Sequence, residues 1–304
     1  MRTRDLVQEI REDSSSGASQ LTIKAANVFL KLGERLVSLR DVKRVARSLA
    51  EARPSMPSIA NMAYRISGLV EEQVSKGTSA AEAIKNAVRI ALNEYQNALR
   101  TVIQNAADEI RRYESILVYS YSSTVAAAIE KHKGLRIYIT ESRPGYEGRR
   151  LAEELIERAH EVTLIVDAAA SYVIDRDLVD AVILGCDAVL DDGSIANKVG
   201  SKMIALAARD SGIPVNVVTD LWKASVYGFS FEEHPPEEIY VGRVGVPALN
   251  PYFEIVPYRL ISLFITEKGL LKPQELVEEL RILWGHVISK SRRDVRRLMF
   301  KQMR

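Results

Sequence analysis

The chain has 304 residues, 47% of them hydrophobic and 27% charged, with a formal net charge of +2. This is the composition of a globular protein of one large or two modest domains, and the charge is too small to imply a polyanion partner for the chain as a whole. A single cysteine, Cys186, excludes a disulfide framework and a cysteine-based zinc site; the four histidines fall in no metal-ligand spacing, so neither metal nor cofactor is predicted.

In chain order, the opening MRTRDLVQEIRED is charged throughout, so no secretory leader is expected. No run approaches the roughly 18 apolar residues of a membrane span. The expectation is a soluble cytoplasmic protein with no membrane partner. Residues 1–113 read as a helical domain: Leu36, Leu39, Val42, Val45 and Leu49 recur at helix spacing, and a second amphipathic pattern runs over 80–113. The polar stretch Asp13 to Gly17 breaks the first helix and can cap the next, and Arg53-Pro54-Ser55-Met56-Pro57 is a second break.

From Ser115 the texture changes. ILVYSY (116–121), LRIYIT (135–140), VTLIVDAA (162–169), AVILGC (181–186) and VNVVTD (215–220) are short β-branched runs separated mostly by helical patterns. Such alternation predicts a parallel sheet covered on both faces, here over 114–288. After Lys223 a turn-rich excursion leads to a loop and a closing helix within 266–285, and 289–304 is a basic tail with seven Lys or Arg against one Asp. The predicted fold class is therefore α/β.

Polar residues gather just after the strands, where open parallel sheets bind ligands. The clearest case is AVILGCDAVLDDGSIANKVGS (181–201): a buried strand, Asp187 at its end, and Asn197-Lys198 read as the start of the next helix. Asp187 sits at the mouth of a pocket and suits proton transfer, or else caps a turn. Asp167 reads as a helix cap, and Cys186 as a small packed hydrophobe before a nucleophile. There is no GxGxxG and no GxxxxGK[ST], so a phosphate would rest on helix N-termini and on Arg53, Arg143, Lys198 and Lys223. For any one of these four taken alone, the plainer reading is a solvated or ion-paired side chain.

ESRPGYEGRRLA (141–152), VDAAASYV (166–173), GCDAVLDDGSIANKVGS (185–201) and Asp-Leu-Trp-Lys (220–223) together resemble the α, β and δ subunits of translation initiation factor 2B, over about residues 13–285. That family also holds two isomerases, acting on ribose 1,5-bisphosphate and on methylthioribose 1-phosphate. The resemblance implies a helical domain followed by a Rossmann-like domain, a homodimer or homohexamer, and an interdomain pocket for a phosphorylated ribose or nucleotide. It also implies contact with initiation factor 2. The isomerases' Gly-x-Asp aspartate falls on Asp187, their substrate-holding Asn-Lys pair on Asn197 and Lys198, and their later lysine on Lys223. Their Arg-Gly-Ala falls on Ser16, Gly17 and Ala18. Their catalytic cysteine falls on Ser120, and a serine hydroxyl is a far weaker acid than a thiol. The implied function is a ligand-binding α-subunit-like protein of archaeal type; the alternative is a working ribose 1,5-bisphosphate isomerase. The basic tail adds RNA as a partner, against the plainer reading of a solvated helix.

Overall fold

The computed structural model describes residues 3–13, 16–34, 37–158, 160–242 and 245–283. They form two compact units. One comprises the chain up to Ala98, Trp222–Ser230 and residues 280–283; the other comprises Leu99–Leu221 and Phe231–Glu279. The basic tail lies outside the described residues. Among those described, no helix is long and apolar enough to cross a membrane.

The first unit is helical: α1 (Thr3–Glu12), α2 (Ala18–Gly33), α3 (Leu39–Ala50), α4 (Pro57–Ser75) and the first part of α5 (Ala80–Ile110). Local chemistry sets the ends. Ser38 and Asp41 form a reciprocal capping box at the start of α3, and Pro57 opens α4, where the missing N–H costs nothing. The expected cap before α2 takes another form. Gly17 is the cap residue and makes no side-chain bond, while Asp13 Oδ1 accepts the Ser16 N–H at 2.8 Å. Leu21, Phe29, Leu49, Ile59, Met62 and Ile66 are fully buried, and each contributes about 1.5–3 kcal/mol of transfer free energy.

The second unit begins with β1 (Ser115–Tyr119), α6 (Ser123–Ile129), β2 (Arg136–Thr140), α7 (Glu147–Ile156), β3 (Glu161–Ile165) and α8 (Ala170–Ile174). There follow β4 (Ala181–Leu184), β5 (Ala188–Val189), β6 (Ile195–Lys198), α9 (Ser201–Asp210) and β7 (Val215–Val218). β8 (Phe253–Val256), β9 (Leu263–Thr266), β10 (Gly269–Leu271) and helical residues 273–283 (α10) complete the described chain. A seven-stranded sheet runs in the order β10-β9-β7-β4-β1-β2-β3, parallel except for β10. The predicted α/β class, a helical region followed by a mainly parallel sheet, is the observed one.

Three local readings are corrected. Asn197 and Lys198 do not open a helix; they end β6, which pairs with β5 and β8 in a separate antiparallel sheet, and α9 starts at Ser201. The run VTLIVDAA is an edge strand ending at Ile165, with Leu164 46% exposed, so its apolar residues are not buried on both faces. The excursion after Lys223 contains β8, and beyond it β9 and β10, the latter within the stretch read as a loop, extend the main sheet.

Candidate functional site

From β1 the chain first builds outward through β2 and β3, then returns to add β4, β7 and β9 on the other side. The crevice at the carboxyl ends of β1 and β4 is thus the place where strand order reverses and where such sheets bind ligands. Ser120 lies there, immediately after β1, in the left-handed region at φ 63°. That conformation is uncommon for a residue with a Cβ, and its N–H is pinned by Ser142 Oγ at 2.8 Å. Gly185 follows β4 at such close quarters that a Cβ on it would stand 2.8 Å from Ser122 Cβ. Asp187 comes two residues later, half-buried, with its N–H donated to the Ala196 carbonyl at 3.0 Å.

Asp167 is not a helix cap. Its two carboxylate oxygens accept the N–H groups of Ser142 (2.7 Å) and Arg143 (2.8 Å), fixing the loop after β2. Arg143 is exposed and spends its guanidinium on the Tyr146 hydroxyl (2.6 Å) and the Ile239 carbonyl (3.1 Å). Cys186 is buried and donates to the Ala188 carbonyl at 3.2 Å, the packed role expected of it.

The residue that sequence reasoning missed is Glu147. It opens α7, whose start abuts the end of β2: a Cβ on Gly148 would stand 1.8 Å from the Thr140 carbonyl oxygen. Its Oε1 accepts from Lys198 Nζ and from the Tyr252 hydroxyl, both at 2.9 Å. Its Oε2 is buried and accepts no hydrogen bond. Lys198 has a side chain only 3% exposed, with its ammonium 3.7 Å from the centre of the Tyr252 ring. Burial, followed by the charge and hydrogen bond of Glu147 and the charge of Asp187, pushes the Tyr252 hydroxyl well above the usual phenol range. Asn197, the next residue along an alternating strand, turns to the other face, where its amide donates to Ser201 Oγ at 2.8 Å.

The N-terminus of α9 is also occupied. Glu254 Oε1 accepts the N–H groups of Gly200 (2.6 Å) and Lys202 (2.9 Å), the donors that a helix start offers to an anion. The Tyr119 hydroxyl donates to the Val199 carbonyl beside it. Its pKa is raised by burial and by the charges of Asp167, Glu147 and Glu254. Farther along the carboxyl edge, both oxygens of Glu267 accept the Leu221 N–H at 3.2 Å, and burial with the charge of Asp220 pushes the Glu267 carboxyl up to about 7. A cavity of about 490 Å³ opens at the opposite, amino edge of the sheet, beside Tyr113, His132, Arg136 and Glu161. Among the described residues no group of three or more His, Cys, Asp or Glu side chains could hold a metal ion.

The remaining expected residues lie in the helical unit. Arg53, 9% exposed, donates to the Asp13 carbonyl at 2.6 Å, which places it at the loop that carries Ser16, Gly17 and Ala18. Ser16 Oγ accepts from Lys24 at 3.0 Å. Lys223, 5% exposed, is held from both sides: Asn61 Nδ2 donates to the carbonyls of Trp222 (2.5 Å) and Ala224 (2.8 Å).

Known proteins resemble this chain over most of its length. The chain is 28% identical to ribose 1,5-bisphosphate isomerase of Archaeoglobus fulgidus, over 89% of this chain and 90% of the relative. It is 31% identical to a Pyrococcus furiosus protein named as translation initiation factor eIF-2B subunit 2-like, over 88% and 95%. The solved translation initiation factor eIF-2B of Pyrococcus horikoshii OT3 superposes with a TM-score of 0.76 at 26% identity, over 90% of this chain and 97% of that one. The Initiation factor 2 subunit family matches residues 6–273, nearly the whole described chain, and the protein belongs to that family.

Proposed function

We propose that the chain is an initiation-factor-2B α-type protein that binds a phosphorylated ribose or nucleotide as a ligand rather than converting it. The observation that carries this reading is Ser120. At the end of β1, where an aldose–ketose isomerase of this family would need an acid–base thiol, stands a hydroxyl whose own backbone is pinned to Ser142. Asp187 follows the neighbouring strand β4, and Lys198, its side chain only 3% exposed, is paired with Glu147 at 2.9 Å. Relatives carrying both kinds of name, at similar identity, leave the choice to these residues.

Asp187 favours a second reading, a ribose 1,5-bisphosphate isomerase in which that carboxylate moves the proton between C1 and C2, since a pure binder has less use for a carboxylate there. The test is conversion of α-ribose 1,5-bisphosphate to ribulose 1,5-bisphosphate by the wild type, Ser120→Cys and Asp187→Asn, with ligand-induced thermal stabilisation measured alongside. Stabilisation without turnover in the wild type supports the binding protein. Turnover by the wild type that Asp187→Asn abolishes establishes the isomerase and overturns our reading.

A further inference from the structure

Two features that would draw a phosphate into the crevice are occupied by the chain's own carboxylates. The Lys198 ammonium is paired with Glu147 Oε1 at 2.9 Å, and the first amides of α9 are taken by Glu254 Oε1 at 2.6 and 2.9 Å. Deepening the reading of this crevice as a phosphosugar site, we propose that Glu147 turns the Lys198 side of it into a hydroxyl-binding subsite, which selects a ligand phosphorylated once, at its other end, over a bisphosphate.

The demand for a hydroxyl comes from Glu147 Oε2. It is a buried carboxylate oxygen that accepts no hydrogen bond, a state whose desolvation cost is relieved only by a donor. The two donors to Oε1 are not left to serve Oε2. Lys198 is already compensated and lies against the Tyr252 ring, and the Tyr252 hydroxyl gives its hydrogen to Oε1. A sugar hydroxyl entering here donates to Oε2 without adding charge. A phosphate dianion in the same place brings no proton to donate and meets Glu147 directly, with Glu254 and Asp187 contributing further negative potential. Gly145 is part of the arrangement. A Cβ on it would lie 2.6 Å from Glu147 Oε1, so the loop leaves room for the carboxylate where it sits.

The test is calorimetric titration of wild type and Glu147→Gln with ribose 5-phosphate and with ribose 1,5-bisphosphate. Glutamine keeps the size and an acceptor oxygen while removing the charge. The expected result is a wild type at least tenfold tighter for the monophosphate, and a variant in which the bisphosphate gains at least tenfold while the monophosphate changes less than threefold. A wild type that prefers the bisphosphate overturns the proposal, as does a variant with an unchanged preference; should the variant fail to fold, the wild-type ratio alone decides. A wild type that binds neither sugar, with a variant that binds the bisphosphate, supports the subsite and overturns a ribose phosphate as the wild type's ligand. No binding by either protein overturns the subsite proposal and the ribose-phosphate ligand together.

Discussion

Replacing Glu267 by glutamine should stabilise the protein at high pH and leave it nearly unchanged at low pH. Glu267 follows β9, and Asp220 follows the neighbouring parallel strand β7, so the fold delivers two carboxylates to one stretch of sheet edge. Burial, and after it the Asp220 charge, raises the Glu267 carboxyl from 4.5 to about 7 despite the hydrogen bonds from the Leu221 N–H. The folded state therefore holds this proton more tightly than the unfolded chain does. Its contribution is fully present below pH 4.5 and is lost as pH rises through about 7. At about 1.4 kcal/mol per pH unit the full loss is about 3 kcal/mol, of which about 2–3 kcal/mol falls between pH 5 and pH 8.5. Urea unfolding of both proteins at these two pH values, followed by circular dichroism, isolates the effect because titrating groups that do not interact with Glu267 cancel in the difference. A variant-minus-wild-type difference that is the same at both pH values would refute the reasoning.

Gly148→Ala should cost on the order of 3 kcal/mol or more, because the new Cβ would stand 1.8 Å from the Thr140 carbonyl oxygen and neither backbone can yield cheaply. A melting temperature within 2 °C of wild type would show that α7 does not start so close to β2. Asn61→Ala should cost about 2 kcal/mol by leaving the Trp222 and Ala224 carbonyls without their donor, and should speed amide exchange across residues 222–226. Exchange there that matches the wild type would mean that Asn61 does not hold the Lys223 segment.

Strands β1, β4 and β7 were legible because each is buried along its whole length, so ILVY, AVIL and VNVV stand out as β-branched runs flanked by helical spacing, and RIYI of β2 keeps enough of that pattern to be read with them. The strands β8 to β10 were not. Their runs are four residues or fewer, β8 and β10 are partly exposed, and prolines and glycines around them read as turns. IANK escaped for a related reason: its small and polar residues carry no strand signature, and only pairing with β5 and β8 makes it one. Ser120 and Asp187 could be picked out because local sequence marks the ends of β1 and β4, and Lys198 only as half of an Asn-Lys pair taken for a helix start. Glu147 could not, since an acid at a helix start looks like a solvated first-turn residue. What gives it a role is a lysine 51 positions away, which no local pattern encodes. The one available hint was the pair of glycines at 145 and 148, spaced to let a side chain and a backbone approach closely.

The Asp167 carboxylate has a consequence for how this protein can vary. It binds the amides of Ser142 and Arg143, and Ser142 Oγ in turn binds the amide of Ser120, so the loops after β1, β2 and β3 are stitched together although β1 and β3 are not neighbours. Adding or deleting one residue in any of the three would unfasten the other two. A change of length fits more easily elsewhere, as in the long excursion between β7 and β8. The clamp leaves side chains free to be exchanged one at a time while tying the three backbones to one another.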